Sequence, residues 1–242
     1  MARSSTARKP SKGTVTSNVI ELDTDAIAAK EKTIQKKSDE EILEHLNQRF
    51  DILTEMTKAV KRGDVRAMIV SGPPGVGKSH NVEAVLQKDG LFDTLGERKP
   101  KYEVVKGAMS SIGLYKKLYE FSDSKHVLVF DDCDDILQDE LSLNILKGAL
   151  DSYGKRVISW NADMRDEDLP RSFNFEGKVI FISNMDQNNI DQAIRSRSMM
   201  IDLSMTDDQK IDRMEFIAQS DEFMPEYDAK IKADALDLIR DL

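Results

Sequence analysis

The apolar residues between positions 38 and 63 recur every three or four positions along the chain. This period places them on one face of an α-helix, so the segment is predicted to form an amphipathic helix. Ser38 and the three acidic residues behind it are typical of a helix N-terminus, and Gly63 is typical of a helix end. The apolar positions are Ile42, Leu46, Phe50, Leu53, Met56 and Val60.

Later apolar runs are short and continuous, as expected of strands buried on both faces of a parallel sheet. Segments of helical period lie between them, including "SSIGLYKKLYEF" and "DELSLNILKGALDSYG", in which Leu143, Leu146 and Leu150 are expected to face the sheet. This alternation predicts an α/β fold whose parallel sheet is covered by helices on both faces. Another run, "RVISW", is a candidate for a short extra hairpin strand. The predicted strands are 66–71, 102–106, 126–131, 178–183 and a fifth around Met199–Leu203.

The composition is that of a soluble globular protein. Of its 242 residues, 40% are hydrophobic and 33% are charged, and no apolar stretch approaches the roughly 18 residues that a membrane span needs. No apolar segment follows the basic N-terminus, so a secretory signal is not expected and the protein is predicted to be cytoplasmic. The single cysteine, Cys133, excludes an internal disulfide framework, and the three scattered histidines lack the spacing of zinc ligands.

The net charge of −9 is unevenly distributed along the chain. Residues 1–37 contain eight basic and four acidic residues, a charge of +4, whereas the remainder contains 27 basic and 40 acidic residues, a charge of −13. The first twenty residues, "MARSSTARKPSKGTVTSNVI", include almost no large apolar side chain, so this tail is predicted to be disordered. A solubilising tail and a nucleic-acid-binding arm both fit this composition.

The strongest chemical signal is "GPPGVGKS" at Gly72–Ser79, between the predicted strand 66–71 and a predicted helix. Glycines allow the backbone to wrap a phosphate group with its N–H groups turned inward, and the positive end of the following helix adds to the attraction. In this pattern Lys78 reaches the β- and γ-phosphates and the Ser79 hydroxyl binds magnesium. The segment therefore predicts a phosphate-binding loop that works with Mg²⁺.

Two other predicted strands end in polar residues that suit such a loop. In "VLVFDDCD", Asp131 and Asp132 come directly after an apolar run, at the carboxyl end where open α/β sheets bind ligands. We expect Asp131 to hold Mg²⁺ through water and Asp132 to polarise the attacking water. "VIFISN" ends in Asn184, whose amide can bond to both the γ-phosphate and that water. The alternatives are a solvated acidic loop and a turn-forming asparagine, and Cys133 is interpreted as a small core residue.

Two arginines have no counter-charge nearby in the sequence. In "DQAIRSRSMMIDLSM", Arg195 and Arg197 stand two positions apart, and no acidic residue lies between Asp191 and Asp202. Ordinary surface arginines would fit this pattern, and so would guanidinium groups that bind an anion from elsewhere.

Taken together, these motifs resemble those of AAA+ ATPases. "GPPGVGKS" is similar to the Walker A motif of that family, "VLVFDDCD" to its Walker B motif, "VIFISN" to its sensor-1 strand and "AIRSRS" to its arginine-finger segment, in the family's order over roughly residues 40–220. "LPRSFNFEGKVIFISN" and "SRSMMIDLSMT" are also similar to ATPases encoded by tailed bacteriophages. The resemblance implies a five-stranded parallel P-loop sheet in an ATPase core at 38–204, after the basic tail at 1–37 and before an incomplete small helical lid at 205–242.

The resemblance also implies roles for the site residues. ATP and Mg²⁺ would be the cofactors, with Ser79 and Asp131 as metal ligands. Arg197, with Arg195 as the alternative, would be an arginine finger that enters the nucleotide site of a neighbouring subunit and neutralises charge on the γ-phosphate. This implies a homo-oligomeric ring, expected to be a hexamer. The implied nucleotide-binding residues are Gly72, Pro73, Pro74, Gly75, Val76, Gly77, Lys78, Ser79 and His80.

Three features depart from the family's pattern. Asp132 stands where the family usually has glutamate, so its carboxylate is shorter by about one methylene. The lid helices read from "TDDQKIDRMEFIAQ" and "DAKIKADALDLIRDL" lack the expected nucleotide-contacting arginine, which Arg240 does not match. The loop in "YEVVKGAMSSIGLYKKL" lacks the aromatic residue of protein-threading members, so protein threading is not favoured. Lys106 fits either a solvated surface lysine or a contact with a nucleic-acid phosphate.

The sequence therefore predicts a Mg²⁺-dependent ATPase that works as a ring motor. Its substrate is predicted to be a DNA or protein complex, and no membrane partner is expected. Its location would be cytoplasmic, in the host cytosol if the protein is phage-encoded. The alternative function is a nucleotide-gated oligomeric scaffold with little hydrolysis.

Overall fold

A computed structural model of the chain describes residues 44–88, 101–161 and 169–240. The tail at 1–37, predicted to be disordered, lies outside these ranges. Residues from 44 to 62 are helical, in agreement with the apolar period of that segment, and form α1. The later helices are α2 (Lys78–Gln87), α3 (Ser111–Glu120), α4 (Glu140–Ala149), α5 (Gln192–Arg195), α6 (Asp207–Ala218) and α7 (Ala229–Arg240). The strands are β1 (Ala67–Ser71), β2 (Tyr102–Lys106), β3 (Val127–Asp131), β4 (Val157–Ser159), β5 (Ser172–Asn174), β6 (Lys178–Ser183) and β7 (Met199–Asp202).

Five of the strands form one parallel sheet in the order β2-β3-β6-β1-β7. The three middle strands are buried along their whole length, which explains their continuous apolar sequences. Because all five run in the same direction, their carboxyl ends meet at one edge of the sheet, here called the carboxyl edge, and their first residues meet at the amino edge. The prediction of a five-stranded parallel α/β sheet with flanking helices is confirmed.

Successive residues of the central strands point to opposite faces of the sheet. In β6, Phe181 packs in a cluster with residues of α3 and α4, whereas Ile182 packs with residues of α1 and α2. Helix α4 buries Leu146 and Leu150 as predicted, while Leu143 is only partly buried. A large apolar side chain contributes about 1.5–3 kcal/mol when it is fully buried rather than exposed. These two clusters therefore hold the sheet between its helical layers.

Strands β4 and β5 pair antiparallel in a separate hairpin, so the candidate strand in "RVISW" is present. Trp160, which follows β4, is buried, and its ring centroid lies 5.6 Å from that of Tyr115 in α3. The ring centroid of Phe173 in β5 lies 5.1 Å from that of the same tyrosine. The hairpin is thus attached to the face of the sheet that α3 covers.

Two longer helices follow the last strand of the sheet. Helix α6 begins with a capping box, in which the Thr206 hydroxyl accepts from the backbone N–H of Gln209 and the Gln209 side chain accepts from that of Thr206. Arg240 of α7 lies 2.7 Å from the Glu215 carboxylate of α6, so it joins the two helices. A lid boundary at residue 205 stays a prediction. Within the described ranges, no helix has the length and apolar character that crossing a bilayer requires.

Candidate functional site

The loop between β1 and α2 has the backbone path that its glycines predict. Gly77 has a φ of 92°, in the left-handed region that favours glycine. A Cβ atom at Gly72 would lie 3.0 Å from the backbone of Leu203, just beyond the end of β7. A side chain at either position would therefore strain or displace the loop.

The N-terminus of α2 adjoins this loop. Among the described residues no side chain caps it by a hydrogen bond, and the first turn of the helix contains no acidic residue. The first amides of a helix have no intrahelical partner and carry a partial positive charge, which favours an anion at that end. The loop and α2 together therefore form a backbone site suited to a phosphate group.

The ammonium group of Lys78 lies inside the loop. It donates to the carbonyl oxygens of Gly72 and Pro73 and to Oδ1 of Asn184, each at 2.8 Å. Lys78 is only 5% exposed, and this burial lowers its pKa, while nearby carboxylates, chiefly that of Asp132, oppose the shift. Three oxygen atoms thus hold a cation where phosphate oxygens are predicted to bind.

Ser79 and Asp131 lie together, as expected of two metal ligands. The Ser79 hydroxyl donates to Oδ1 of Asp131 at 2.8 Å, and Asp131 is 3% exposed. The other carboxylate oxygen lies 3.1 Å from Nζ of Lys106, which also lies 3.0 Å from Glu83. Hydrogen bonds to Glu83 and Asp131 raise the pKa of Lys106. An ammonium group therefore neutralises the predicted metal-binding carboxylate.

These oxygen atoms fit Mg²⁺ bound partly through water. Magnesium usually takes one or two protein ligands together with waters and substrate phosphates, and Ser79 and Asp131 offer one hydroxyl and one carboxylate. Across the described ranges, no group of three or more His, Cys, Asp or Glu side chains is arranged to hold a metal. The ligand set suits a metal that arrives with a triphosphate better than a permanently bound ion.

A chain of hydrogen bonds connects Lys78 to Asp132. Asn184 accepts from Lys78, and its Nδ2 donates to Oδ1 of Asp132 at 2.7 Å. Asp132 is exposed and has a φ of 54°, a left-handed conformation that is uncommon outside glycine. Its backbone N–H donates to the carbonyl of Ile182 at 3.1 Å, so β6 holds this turn in place. The three predicted side chains are therefore in contact at the carboxyl edge.

Residues 68–204 match the family described as "ATPase family associated with various cellular activities (AAA)". The match covers more than half of the chain, and it includes the phosphate loop, both carboxylates, Asn184 and the two arginines. The chain belongs to this family. The family predicted from the motifs is thereby confirmed.

A phage protein is similar to most of this AAA chain. It is the "Uncharacterized 36.7 kDa protein in nrdC-mobD intergenic region" of Enterobacteria phage T4, 30% identical over 203 residues. The similar region covers 78% of this chain and 61% of the relative, so the chain spans less than two thirds of that protein's length. The predicted similarity to a phage-encoded protein is confirmed.

The two candidate arginine fingers of this AAA domain lie between α5 and β7. Nη1 of Arg197 donates to the carbonyl of Ala193 at 2.8 Å. The Nε atoms of Arg195 and Arg197 are buried without a hydrogen-bond partner, and neither arginine forms an ion pair within the part of the chain that the structure describes. The described residues therefore supply no counter-charge for either guanidinium group.

Sequence analysis missed Glu83 and did not place Lys106 in the nucleotide site. Glu83 follows Ser79 by four positions on α2, so the two share a helix face, and this spacing was a usable signal. Lys106 lies opposite Asp131 in the register of β2 and β3, which is known only once the strand order is known. Burial raises the pKa of the Cys133 thiol to about 11, which supports its interpretation as a small core residue.

Helix α6 packs on the phosphate loop. A Cβ atom at Gly75 would lie 3.3 Å from Cε of Met214, and one at Gly77 would lie 3.5 Å from Cδ1 of Ile217. Beside this contact, α6 and α7 enclose an apolar cavity of about 480 Å³ that Gly75 also lines. The guanidinium of Arg213 contacts α1, where it lies 3.9 Å from the ring centroid of Phe50.

Proposed function

We propose that the protein binds and hydrolyses ATP with Mg²⁺ and works as a ring of identical subunits that remodels a DNA or protein complex. The observation that carries this proposal is the contact of Ser79 with Asp131 at 2.8 Å, beside the hydrogen-bonded chain from Lys78 to Asp132. Predicted metal ligands, a phosphate-binding cation and a water-directing carboxylate thus meet at one edge of the sheet. Membership of the AAA family supports the ATPase activity.

Binding of the triphosphate uses the loop amides, the N-terminus of α2 and Lys78. Lys78 exchanges the carbonyl oxygens of Gly72 and Pro73 for those of the phosphates, which carry more negative charge. Ser79 and Asp131 hold the metal, and Mg²⁺ supplies positive charge that neutralises the phosphate oxygens. The apolar cavity between α6, α7 and the loop has enough room for the nucleobase.

Hydrolysis uses Asn184 and Asp132. The amide of Asn184 fixes the direction of the Asp132 carboxylate through the 2.7 Å hydrogen bond. Asp132 then orients the attacking water and accepts its proton, while Asn184 remains in reach of the γ-phosphate through the contact it shares with Lys78. Orientation of this kind lowers the barrier because the reacting groups are already aligned.

The arginines complete the site of a neighbouring subunit. Arg197 is the first candidate and Arg195 the second. Both are candidates because neither has a carboxylate partner within the described residues and both lie outside the hydrogen-bonded site. A guanidinium group supplied in trans accelerates phosphoryl transfer by about 10³–10⁵. Hydrolysis therefore depends on assembly.

Turnover measured against protein concentration tests the proposal. Specific activity is expected to rise as subunits associate, and Lys78→Met is expected to remove ATP turnover at every concentration. Activity per molecule that stays constant on dilution to monomers would contradict the trans arginine. Failure to bind ATP with Mg²⁺ at millimolar concentration would contradict the whole proposal.

The choice between a DNA and a protein substrate has its own test. Single-stranded DNA is expected to stimulate turnover of a DNA-remodelling motor, and this stimulation should fall steeply as salt rises, because phosphate contacts release counterions. A protein-remodelling motor shows no salt-sensitive stimulation by DNA. The same assay with an unfolded protein in place of DNA is the matched comparison.

A scaffold with little hydrolysis is a second candidate, favoured by the short side chain of Asp132. Its carboxylate is engaged by Asn184 and reaches less far than that of a glutamate. Slow wild-type turnover with a large gain in Asp132→Glu would support the scaffold. Brisk wild-type turnover that Asp132→Glu does not increase would exclude it.

A further inference from the structure

A basic cavity of about 600 Å³ lies at the amino edge of the sheet, away from the phosphate loop. Lys178, which lines it, is the first residue of β6, whereas Asn184 follows the last residue of that strand. At roughly 3.3 Å per strand residue, about 20 Å separates this basic cavity from the nucleotide site. Its basic lining residues come from three separate segments of the chain and are Arg62, Arg66, Lys155, Arg156 and Lys178.

Lys178 lines the basic cavity, and its side chain is largely buried there. It is 7% exposed, and its ammonium group forms no hydrogen bond or ion pair with any residue in the described ranges. Burial lowers the pKa of Lys178, the charge of Arg156 adds to this shift, and Asp123 opposes it. Burial of an unpaired ammonium group is unfavourable. Packing alone therefore does not account for a lysine at this position.

Arg156 presents a second buried positive charge. Its guanidinium donates to the carbonyls of Ala149 and Gly177 at 3.1 and 3.0 Å and lies over the ring of Phe175. These contacts fix the group in place, but neutral carbonyls do not cancel its charge. Burial lowers the pKa of Arg156 to about 10, and the charge of Arg66 adds to this effect. The wall of the cavity thus contains a positioned cation.

Acidic side chains compensate only part of this charge, since Glu176 opposes the lowering of the Arg156 pKa and Asp123 opposes that of Lys178. Glu176 is the acidic residue among the described residues that line the cavity, and it is exposed. Arg62 has its own partner, the Asp64 carboxylate at 2.9 Å. The whole protein has a net charge of −9, so the positive surplus in this cavity is opposite in sign to the charge of the chain as a whole. A concave site with fixed cationic donors attracts and selects anions.

We propose that the basic cavity is a second anion site, which binds a phosphate group through Lys178 and Arg156 and uses Arg66 and Lys155 at its rim. A phosphate group suits the cavity because its several oxygens accept charge-assisted hydrogen bonds from different directions. The cations come from different segments and surround one space, which a small planar anion would not fill. The group belongs either to a free phosphate compound or to a nucleic-acid backbone.

Pyrophosphate binding to the full chain, measured by calorimetry without Mg²⁺, tests this site. The measurement uses a Lys78→Ala background, which weakens the phosphate loop. Adding Lys178→Met is expected to lower the affinity about tenfold or more, because it removes a charge-assisted contact. Arg66→Gln and Lys155→Gln are expected to lower it about threefold each, since exposed charges contribute less. Lys58→Gln, the control outside the cavity, is expected to have no effect.

An unchanged pyrophosphate affinity after Lys178→Met would overturn the proposal. Thermal unfolding then separates ligand binding from a structural role. In phosphate-free buffer Lys178→Met is expected to raise Tm, because an apolar side chain replaces a buried unpaired charge. A lysine that stabilises the end of α1 near Gly63 would instead lower Tm when it is replaced. Pyrophosphate is expected to raise the Tm of the Lys78→Ala background by about 2 °C or more and to leave the double variant unchanged.

Competition identifies the source of the phosphate group. Single-stranded oligothymidine that binds, is displaced by pyrophosphate and requires Lys178 would assign the cavity to a nucleic-acid backbone. Pyrophosphate binding that requires Lys178, with no binding of the oligonucleotide, would assign it to a small phosphate compound. Both results support a phosphate site, and binding of neither probe would overturn it.

Discussion

The carboxyl and amino edges of the sheet differ in whether their charged side chains have partners. At the carboxyl edge, Lys78 is bound by three oxygen atoms, and Asp131 is held by Ser79 and Lys106. At the amino edge, within the described residues, Lys178 has no hydrogen-bonded partner and Arg156 has only carbonyls. At the carboxyl edge the charged groups thus have partners before any ligand binds, which we call a balanced site, whereas the amino edge keeps a positive surplus.

The difference indicates two ways to prepare a site for phosphate. A balanced site keeps its groups aligned and exchanges internal contacts for ligand contacts, which limits the energy gained but fixes the geometry. An unbalanced site gains more from each new contact, because its charges start without partners. Four substitutions test this contrast, and they follow in order of decreasing effect.

Arg197→Ala is expected to lower ATP turnover by about 10³-fold or more while ATP binding is retained, because the proposed role of this arginine is to act on a neighbour's site. Arg195→Ala is the matched control and is expected to lose less. Mixing Arg197→Ala with Lys78→Met should restore activity, since one partner supplies the loop and the other the arginine. A mixture that stays inactive would contradict action in trans.

Asp131→Asn is expected to lower turnover by about 100-fold, because the site loses the charge that holds Mg²⁺. It also leaves the Lys106 ammonium with Glu83 as its charged partner. Glu83→Gln is the control that keeps Asp131, and its turnover should remain close to that of the wild type. Turnover measured over a range of Mg²⁺ concentrations distinguishes the two, and equal losses would count against Asp131 as the metal ligand.

Cys133→Ala is expected to change how stability depends on alkaline pH. The folded thiol has its pKa raised from 9.0 to about 11, so between these values the unfolded chain releases its proton first. This contribution to stability is complete below pH 9 and is lost as pH rises through 11, a loss of about 3 kcal/mol. Urea unfolding at pH 8, 9 and 10.5 should show a steeper decline for the wild type than for Cys133→Ala. Parallel declines would show that the thiol ionises normally.

Lys106→Met is expected to lower the Mg²⁺ concentration needed for half-maximal turnover by about threefold, because the exposed lysine competes with the metal for Asp131. Its side chain is 60% exposed, which keeps the effect small. The control is Lys117→Met, which removes an ammonium group from α3. That group is paired with Glu103, which lies in β2 as Lys106 does. A higher Mg²⁺ requirement in Lys106→Met would show that the lysine supports the metal rather than competes with it.

Much of the fold could be predicted from local sequence. Apolar runs such as Val127–Asp131 gave strand positions to within a residue, because a strand buried on both faces has little room for polar side chains. The phosphate loop could also be predicted, because its backbone needs positive φ angles and glycines supply them at fixed positions in the sequence. The short strand Ser172–Asn174 was not predicted, because three residues are too few to display a period.

The residues of the candidate site that lie at the ends of strands could be predicted. Asp131, Asp132 and Asn184 each end or follow a strand, so the parallel arrangement alone brings them together. Contacts that depend on strand order were hidden, such as that of Lys106 with Asp131. The basic cavity could not be predicted for the same reason, because three distant segments supply its charges.

The left-handed backbone of Asp132 restricts how this protein could evolve. Aspartate and asparagine tolerate this conformation better than longer side chains do. A change to glutamate would lengthen the reach of the carboxylate but cost about 1 kcal/mol or more in folding free energy at the same step. At position 132, a longer carboxylate and a stable turn are therefore conflicting requirements. A change to glutamate would first need a second substitution that relaxes the loop.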